Sequence, residues 1–276
     1  MKRILLALIA FGGAMTCLAQ DSTKKEKADT IRVGGMIIIK DGKRDDGEKK
    51  DRNITISNHK KRKSSNISTN WWIVDLGFSN VKDETNYPAA IASGFLDNSI
   101  GKDQLDLKTG KSVNVNIWMF MQKLNVIKHV VNLKYGLGLE LNNYRFENET
   151  VRFAKNPTKI SLDVSLKDVD KNKFAADYIT VPFMVNFNLT PGREKGFGFS
   201  AGVSAGMLYS ARQKIKNNGN KTKLHDDFDL EKWKLSYIGE LNLGPVRLYG
   251  SYAMNNMWEK GLDQTPYNVG IRLSHW

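Results

Sequence analysis

Side chains able to do chemistry are sparse and scattered in this 276-residue sequence. Its four histidines, His59, His129, His225 and His275, share no spacing that puts two on one metal ion. His225-Asp226-Asp227 offers oxygen and nitrogen ligands to a divalent cation, but an acidic loop cluster of this kind is ordinarily solvated. Ser200 and Ser204 alternate with glycine, a pattern for close packing or strand bending rather than for a nucleophile. Neither a Gly-x-Ser-x-Gly elbow nor a phosphate-binding glycine loop is present, and no Ser/His/Asp set assembles. The expectation is a protein that is not an enzyme, with no catalytic residue, no metal ligand and no cofactor.

The informative charged residues are Asp75, Lys134, Glu140, Lys234, Glu240, Arg247 and Arg272. Each falls on the polar side of a segment whose other side is apolar. A charge taken out of water is costly unless it is partnered. Glu140 and Glu240 are therefore expected to pair with Lys134, Lys234, Arg247 or Arg272 in a structural polar network.

The segments that carry these residues alternate with a period of two, the signature of a β-strand. Eight of them are expected, over 71–80, 113–122, 131–142, 179–189, 197–209, 232–243, 246–254 and 267–274. The expected outward positions include Trp72, Val74, Leu76 and Phe78 in the first segment and Val113, Val115, Ile117, Met119 and Met121 in the second. None of the outward positions is charged, although 26% of the chain is. A soluble sandwich would place charge on its solvent side. Apolar outside and polar inside is the pattern of a transmembrane barrel. The hydrophobic content, 41%, is no objection, because lipid faces only every second strand residue.

Connections between segments alternate strictly between long and short. Long ones follow the first, third, fifth and seventh segments; the short ones lie near 125–128, 190–195 and Gly244-Pro245. Outer-membrane barrels place long loops outside and short turns in the periplasm. The reading is an all-β, eight-stranded, antiparallel, up-and-down transmembrane β-barrel at 70–276, in the cell outer membrane, with both termini periplasmic. Trp71, Trp72 and Trp276 would then lie at the periplasmic rim, and Trp233, Tyr252, Trp258 and Tyr267 near the outer rim, as an aromatic girdle. Trp276 is out of phase with Leu273 and Ile271.

The N-terminus reads as an exported one. Lys2 and Arg3 precede an apolar run from Ile4 to about Met15, and Cys17-Leu18-Ala19 offers small residues for cleavage before Gln20. Residues 1–19 are expected to be a signal peptide. That leaves a mature chain without cysteine, so neither disulfide nor thiolate chemistry is open to it. Residues 20–69 carry fourteen Lys and Arg against eight Asp and Glu, with no aromatic residue. Such a segment buries too little apolar area to offset ordering entropy, and it is expected to be largely disordered in the periplasm. The exception is Thr30 to Lys40, where two apolar stretches flank Gly34-Gly35 as in a small hairpin. The run His59-Lys60-Lys61-Arg62-Lys63 suits anionic headgroups or cell-wall polymers, and no nucleic-acid partner is expected.

Four stretches carry a family resemblance: Asn70-Trp71-Trp72-Ile73-Val74-Asp75-Leu76-Gly77-Phe78, Tyr135-Gly136-Leu137-Gly138-Leu139-Glu140, Tyr178-Ile179-Thr180-Val181-Pro182-Phe183 and Asn268-Val269-Gly270-Ile271-Arg272-Leu273. Over about residues 70 to 276 the chain resembles the PorT-like outer-membrane β-barrel proteins of Bacteroidota. The resemblance implies an outer-membrane barrel with no enzymatic residues to carry over. Three roles follow as expectations. One is structural or interactive, through outer loops 81–112 and 147–177 that bind a protein partner. Another is accessory to secretion or envelope assembly, through the basic tail. A third is a small-solute channel or rim enzyme, which an interior just wide enough for side chains disfavours.

Overall fold

The computed structural model describes residues 65–191 and 196–274 in full, and 29–33 and 36–40 as backbone. The expected signal peptide, the lysine run at 59–63 and Trp276 lie outside the described residues. The chain divides into units 1–63 and 64–276. In the first, β1 (Asp29–Val33) and β2 (Met36–Lys40) pair antiparallel, with Ile31 opposite Ile38.

In the second unit, period-two alternation makes eight long strands: β3 (Ile67–Asp83), β4 (Val113–Ile127), β5 (Val131–Arg145), β8 (Lys171–Asn188), β9 (Phe197–Asn217), β11 (Trp233–Leu243), β12 (Val246–Ala253) and β13 (Gln264–Leu273). Each pairs antiparallel with the next, and β13 returns to β3, from Gln264 opposite Asp83 to Leu273 opposite Val74. The result is a closed, up-and-down ring. Short turns join strands at one end. There Gly244, with φ of 76°, takes the first place of the two-residue turn before Pro245, as a II′ hairpin requires.

The long connections at the other end carry their own structure. Helix α1 (Tyr87–Ala92) follows β3, a hairpin of β6 (Val151–Ala154) and β7 (Lys159–Leu162) follows β5, and β10 (Asn220–His225) folds back on the end of β9. Asn218 and Gly219, both with positive φ, make the β9–β10 turn in the manner of an Asn-Gly type I′ hairpin.

Two strands depart from the expected phase. In β3 both Trp71 and Trp72 point outward, 63% and 71% exposed, while Asn70 and Ile73 are buried. Trp72 takes a left-handed φ of 56° to let this happen. In β4 the register shifts between Trp118 and Phe120, so that Phe120 lies on the side of Trp71 and Met121 is fully buried. The expectation that Met121 faces outward is therefore corrected: a one-residue slip moves every later side chain to the other face. Strands β8 and β9 are also longer than expected, beginning at Lys171 and ending at Asn217.

Closure of the ring has a steric condition. Gly77 and Gly270 stand opposite each other across the β3–β13 pair, and the Tyr249 ring lies over them. A β-carbon on Gly270 would sit 2.5 Å from Gly77 Cα and 2.7 Å from Tyr249 Cε1. Gly270→Ala is thus expected to destabilise the barrel by about 1–3 kcal/mol through overpacking, read from urea unfolding in micelles. Gly250→Ala, whose methyl meets only Asn268 O at 3.6 Å, should leave the midpoint close to wild type.

Candidate functional site

The inner face is polar because the alternation that aims Val, Leu and Tyr outward aims Asn, Ser and charged residues inward. Residues Asp75, Lys134, Glu140, Lys234, Glu240 and Arg272 all lie there, buried. Lys134 and Glu140 are six positions apart on β5, and Lys234 and Glu240 six apart on β11. The two strands run in opposite directions, so each lysine meets the other strand's glutamate. Lys134 Nζ donates to Glu240, and Lys234 Nζ to Glu140.

Arg272 on β13 ties this set to β3. Its Nε and Nη2 donate to the two Asp75 oxygens at 2.6 and 2.7 Å, and its Nη1 reaches Glu240. Asp75 Oδ2 also accepts from Trp118 Nε1 at 2.7 Å and Asn116 Nδ2 at 3.2 Å. The guanidinium lies 5.5 Å from the centre of the Trp118 ring. Three carboxylates and three cations balance, and each oxygen of Asp75, Glu140 and Glu240 has a donor. This is the condition under which buried charge is tolerated.

A tier of amides lies beside the ion pairs. Glu140 Oε1 accepts from Asn142 and Asn268, both at 3.1 Å. Asn142 Oδ1 accepts from Asn114 Nδ2 at 2.9 Å, and Ser79 Oγ donates to Asn268 Oδ1 at 2.7 Å. Ile73, Trp118, Met121 and Met184 form an apolar cluster. The cavity left between Trp118, Glu140, Met184 and Arg272 has a volume of about 20 Å³, room for roughly one water.

The long loops close over the ring with a hydrophobic cluster of their own. Phe153 from the β6–β7 hairpin stacks on Phe174 at 4.8 Å and packs edge-on to Phe228 at 5.7 Å; Phe174 meets Trp258 at 5.6 Å. Leu96, Ile100, Leu105, Ile160, Met257 and Leu262 are also part of it. At its margin, Asp83 accepts from Tyr87 Oη and Gln264 Nε2, each at 2.8 Å. Burial raises the Asp83 carboxyl, but hydrogen bonds from Gln264, Thr85 and Tyr87 outweigh it and hold the group below its ordinary range.

Two placements differ from the sequence reading. Among the described residues Arg247 forms no ion pair with a carboxylate; its Nη1 donates to the Ser274 carbonyl and, at 2.7 Å, to Ser274 Oγ. It stands opposite Asn242, directly after the Leu243–Val246 turn. Trp258 is not at an outer rim but buried in the cap, its Nε1 donating to Gln264 Oε1 at 3.0 Å. Trp233, Tyr252 and Tyr267 are exposed on the outer side of the wall, with Tyr252 paired opposite Tyr267. Sequence reasoning assigned no role to Trp118 or to the asparagines. The available signal was their inward phase next to Asp75 and Glu140. Among the described residues no group of three His, Cys, Asp or Glu side chains is placed to hold a metal ion.

Geometry thus defines a closed β-barrel with a polar interior and an uncharged outer belt. Residues 72–257 match the family described as outer membrane protein beta-barrel domain, and the chain belongs to that family. It is an outer-membrane barrel. No curated protein matches the chain. Among solved structures, Ail, the attachment invasion locus protein of Yersinia pestis, is similar at 12% identity over 74% of this chain and 98% of its own, with a TM-score of 0.29.

Removing one member of the ionic chain should show its coupling. Arg272→Met leaves Asp75 and Glu240 without their shared cation and is expected to cost about 3–5 kcal/mol in unfolding free energy. The double change Asp75→Asn and Arg272→Met should cost less than Arg272→Met alone, because Glu240 keeps Lys134 and no charge is stranded. Equal or additive losses would mean that the groups act independently.

Proposed function

We propose that this protein is a non-enzymatic, non-conducting outer-membrane barrel that displays a folded cap at the cell surface for interaction with a partner. The observation that carries this reading is the packing of the long loops into an aromatic cluster over an interior whose cavity beside Trp118, Glu140, Met184 and Arg272 is water-sized. A polar route for solutes would need an open, hydrated lumen, and a rim enzyme would need a convergent nucleophile and base. The loops 81–112 and 147–170 thereby act as a rigid scaffold rather than as free arms. A surface groove of about 540 Å³ between α1 and the loop at 254–263, with Ala89, Ala90 and Leu262 in its lining and Glu84, Lys260 and Asp263 among its charged groups, gives the cap a recessed face of mixed polarity.

In this reading the long loops are extracellular and both ends of the ring are periplasmic, which agrees with the lengths of loops and turns in barrels of this class. The signal peptide at 1–19 delivers the chain, and Trp71, Trp72, Trp233, Tyr252 and Tyr267 sit at the two lipid–water interfaces. The basic segment 20–69 supports a second reading, an accessory role in secretion or envelope assembly, in keeping with the resemblance to PorT-like barrels. Crosslinking and recovery of periplasmic partners should then depend on residues 20–69, whereas partners of the cap should not.

In planar bilayers the purified full-length protein is expected to give no discrete conductance steps. Reproducible, ion-selective steps from folded protein would overturn the non-conducting assignment.

A further inference from the structure

The outer ends of β8, β9 and β10 carry an unusual ladder. Lys173 stands opposite Lys214, and Lys214 opposite Lys223; two residues along, Lys171 stands opposite Lys216, and Lys216 opposite Lys221. Directly opposed residues share a face, so six lysines form a grid on one side of a three-stranded sheet. Neighbours in such a grid are about 5 Å apart across strands and 7 Å apart along them. Like charges placed opposite one another are destabilising unless an anion joins them.

The grid is on the lipid side of the wall. On β8, Lys171 and Lys173 share the outward phase of Ile179, Val181 and Phe183. On β9, outward positions below the irregularity are Val203, Ala205, Met207 and Tyr209; the register shift beside Asp177 and Tyr178 then hands the outward phase to Lys214 and Lys216. Lys214 is five residues beyond Tyr209, which in a tilted strand is about 12 Å further from the apolar belt. A lysine stem leaning back from there covers about half of that distance, which brings its ammonium to the depth of the headgroup layer while keeping its charge in water.

The surroundings do not neutralise the grid. Asp170 reaches Lys216 at 3.4 Å, and Asp177 is taken by Arg212. On the neighbouring strand Arg145 stands opposite Lys173, and its Nε has no hydrogen-bond partner among the described residues. Lys173 is lowered to about 8, first by burial and then by Lys214, Lys171 and Arg212. Lys214 is lowered by slight burial and by Lys221 and Lys223.

We infer that this outward face of β8, β9 and β10 is a binding site for phosphorylated lipid headgroups of the surrounding leaflet, bridged between opposed lysines. A lipid is favoured over a soluble polyanion because the grid continues the lipid-facing stripe rather than crowning the cap. The inference rests on the barrel spanning a bilayer. The orientation proposed above decides only which leaflet supplies the lipid.

The test uses full-length protein in maltoside micelles, titrated calorimetrically with a short-chain phosphatidic acid, with phosphatidylcholine of the same chains, with inorganic phosphate and with dextran sulfate. Wild type should bind the phosphatidic acid at least tenfold more tightly than the phosphatidylcholine or inorganic phosphate. The triple variant Lys173→Gln, Lys214→Gln and Lys223→Gln should lose that tenfold while keeping the heat-modifiable gel mobility of a folded barrel. The second row, Lys171→Gln, Lys216→Gln and Lys221→Gln, provides an independent variant if the first does not fold. Unchanged affinity in both rows overturns the site. Inorganic phosphate bound as tightly as the lipid, or dextran sulfate bound more tightly, overturns the lipid assignment. Binding in micelles is blind to orientation and to conductance, so its failure is separable from failure of the proposed surface role.

Discussion

A strand that crosses hydrocarbon cannot leave its backbone N–H and C=O groups unpaired, and the whole structure follows from that requirement. The last strand must find the first. Ten opposed residue pairs, from Gln264 with Asp83 to Leu273 with Val74, join β13 to β3. Everything near that seam is shaped to let it form. Gly77 and Gly270 remove the side chains that would keep the backbones from their inner neighbour, and Tyr249 occupies the space. Asp75 and Arg272 then span the same pair of strands from within, with two hydrogen bonds of 2.6 and 2.7 Å.

Closing the ring creates a narrow interior that must be filled. An apolar filling would have lost the distinction between inside and outside that sets the register. The polar filling carries a cost of its own, which pairing offsets. Equal Lys-to-Glu spacing on two antiparallel strands gives two crossed ion pairs, and Arg272 extends one of them to Asp75. Side chains that keep the inside polar thereby also fill it. Beyond the membrane the same strands continue, and their outward residues change from Val, Met and Tyr to Lys. The wall thus records the lipid boundary in residue type alone.

Strand existence and order were legible because a bilayer enforces clean alternation, and every outward charge would be costly there. That same criterion hid the parts outside the bilayer. Residues Lys171 to Tyr178 alternate as well as any strand, but Lys171, Lys173 and Asp177 on their outward side read as loop. Residues Asn220 to His225 went unassigned although Asn218-Gly219 is a strong hairpin signal. Phase slips at Trp71-Trp72 and at Trp118 to Phe120 were invisible because aromatic and methionine side chains suit either face. Which lysine meets which glutamate was derivable in principle from strand direction and spacing. The position of Arg247 was not, since its partner Ser274 competes only once the β12–β13 register is known.

Amide hydrogen exchange of the folded protein in lipid nanodiscs tests the closed ring most directly. The seam amides of Val74 to Phe78 and Val269 to Leu273 should exchange as slowly as those of Val181 to Val185 in the middle of the sheet. Fast exchange along either seam strand, at the rate of an open sheet edge, would contradict closure and with it the account built on it.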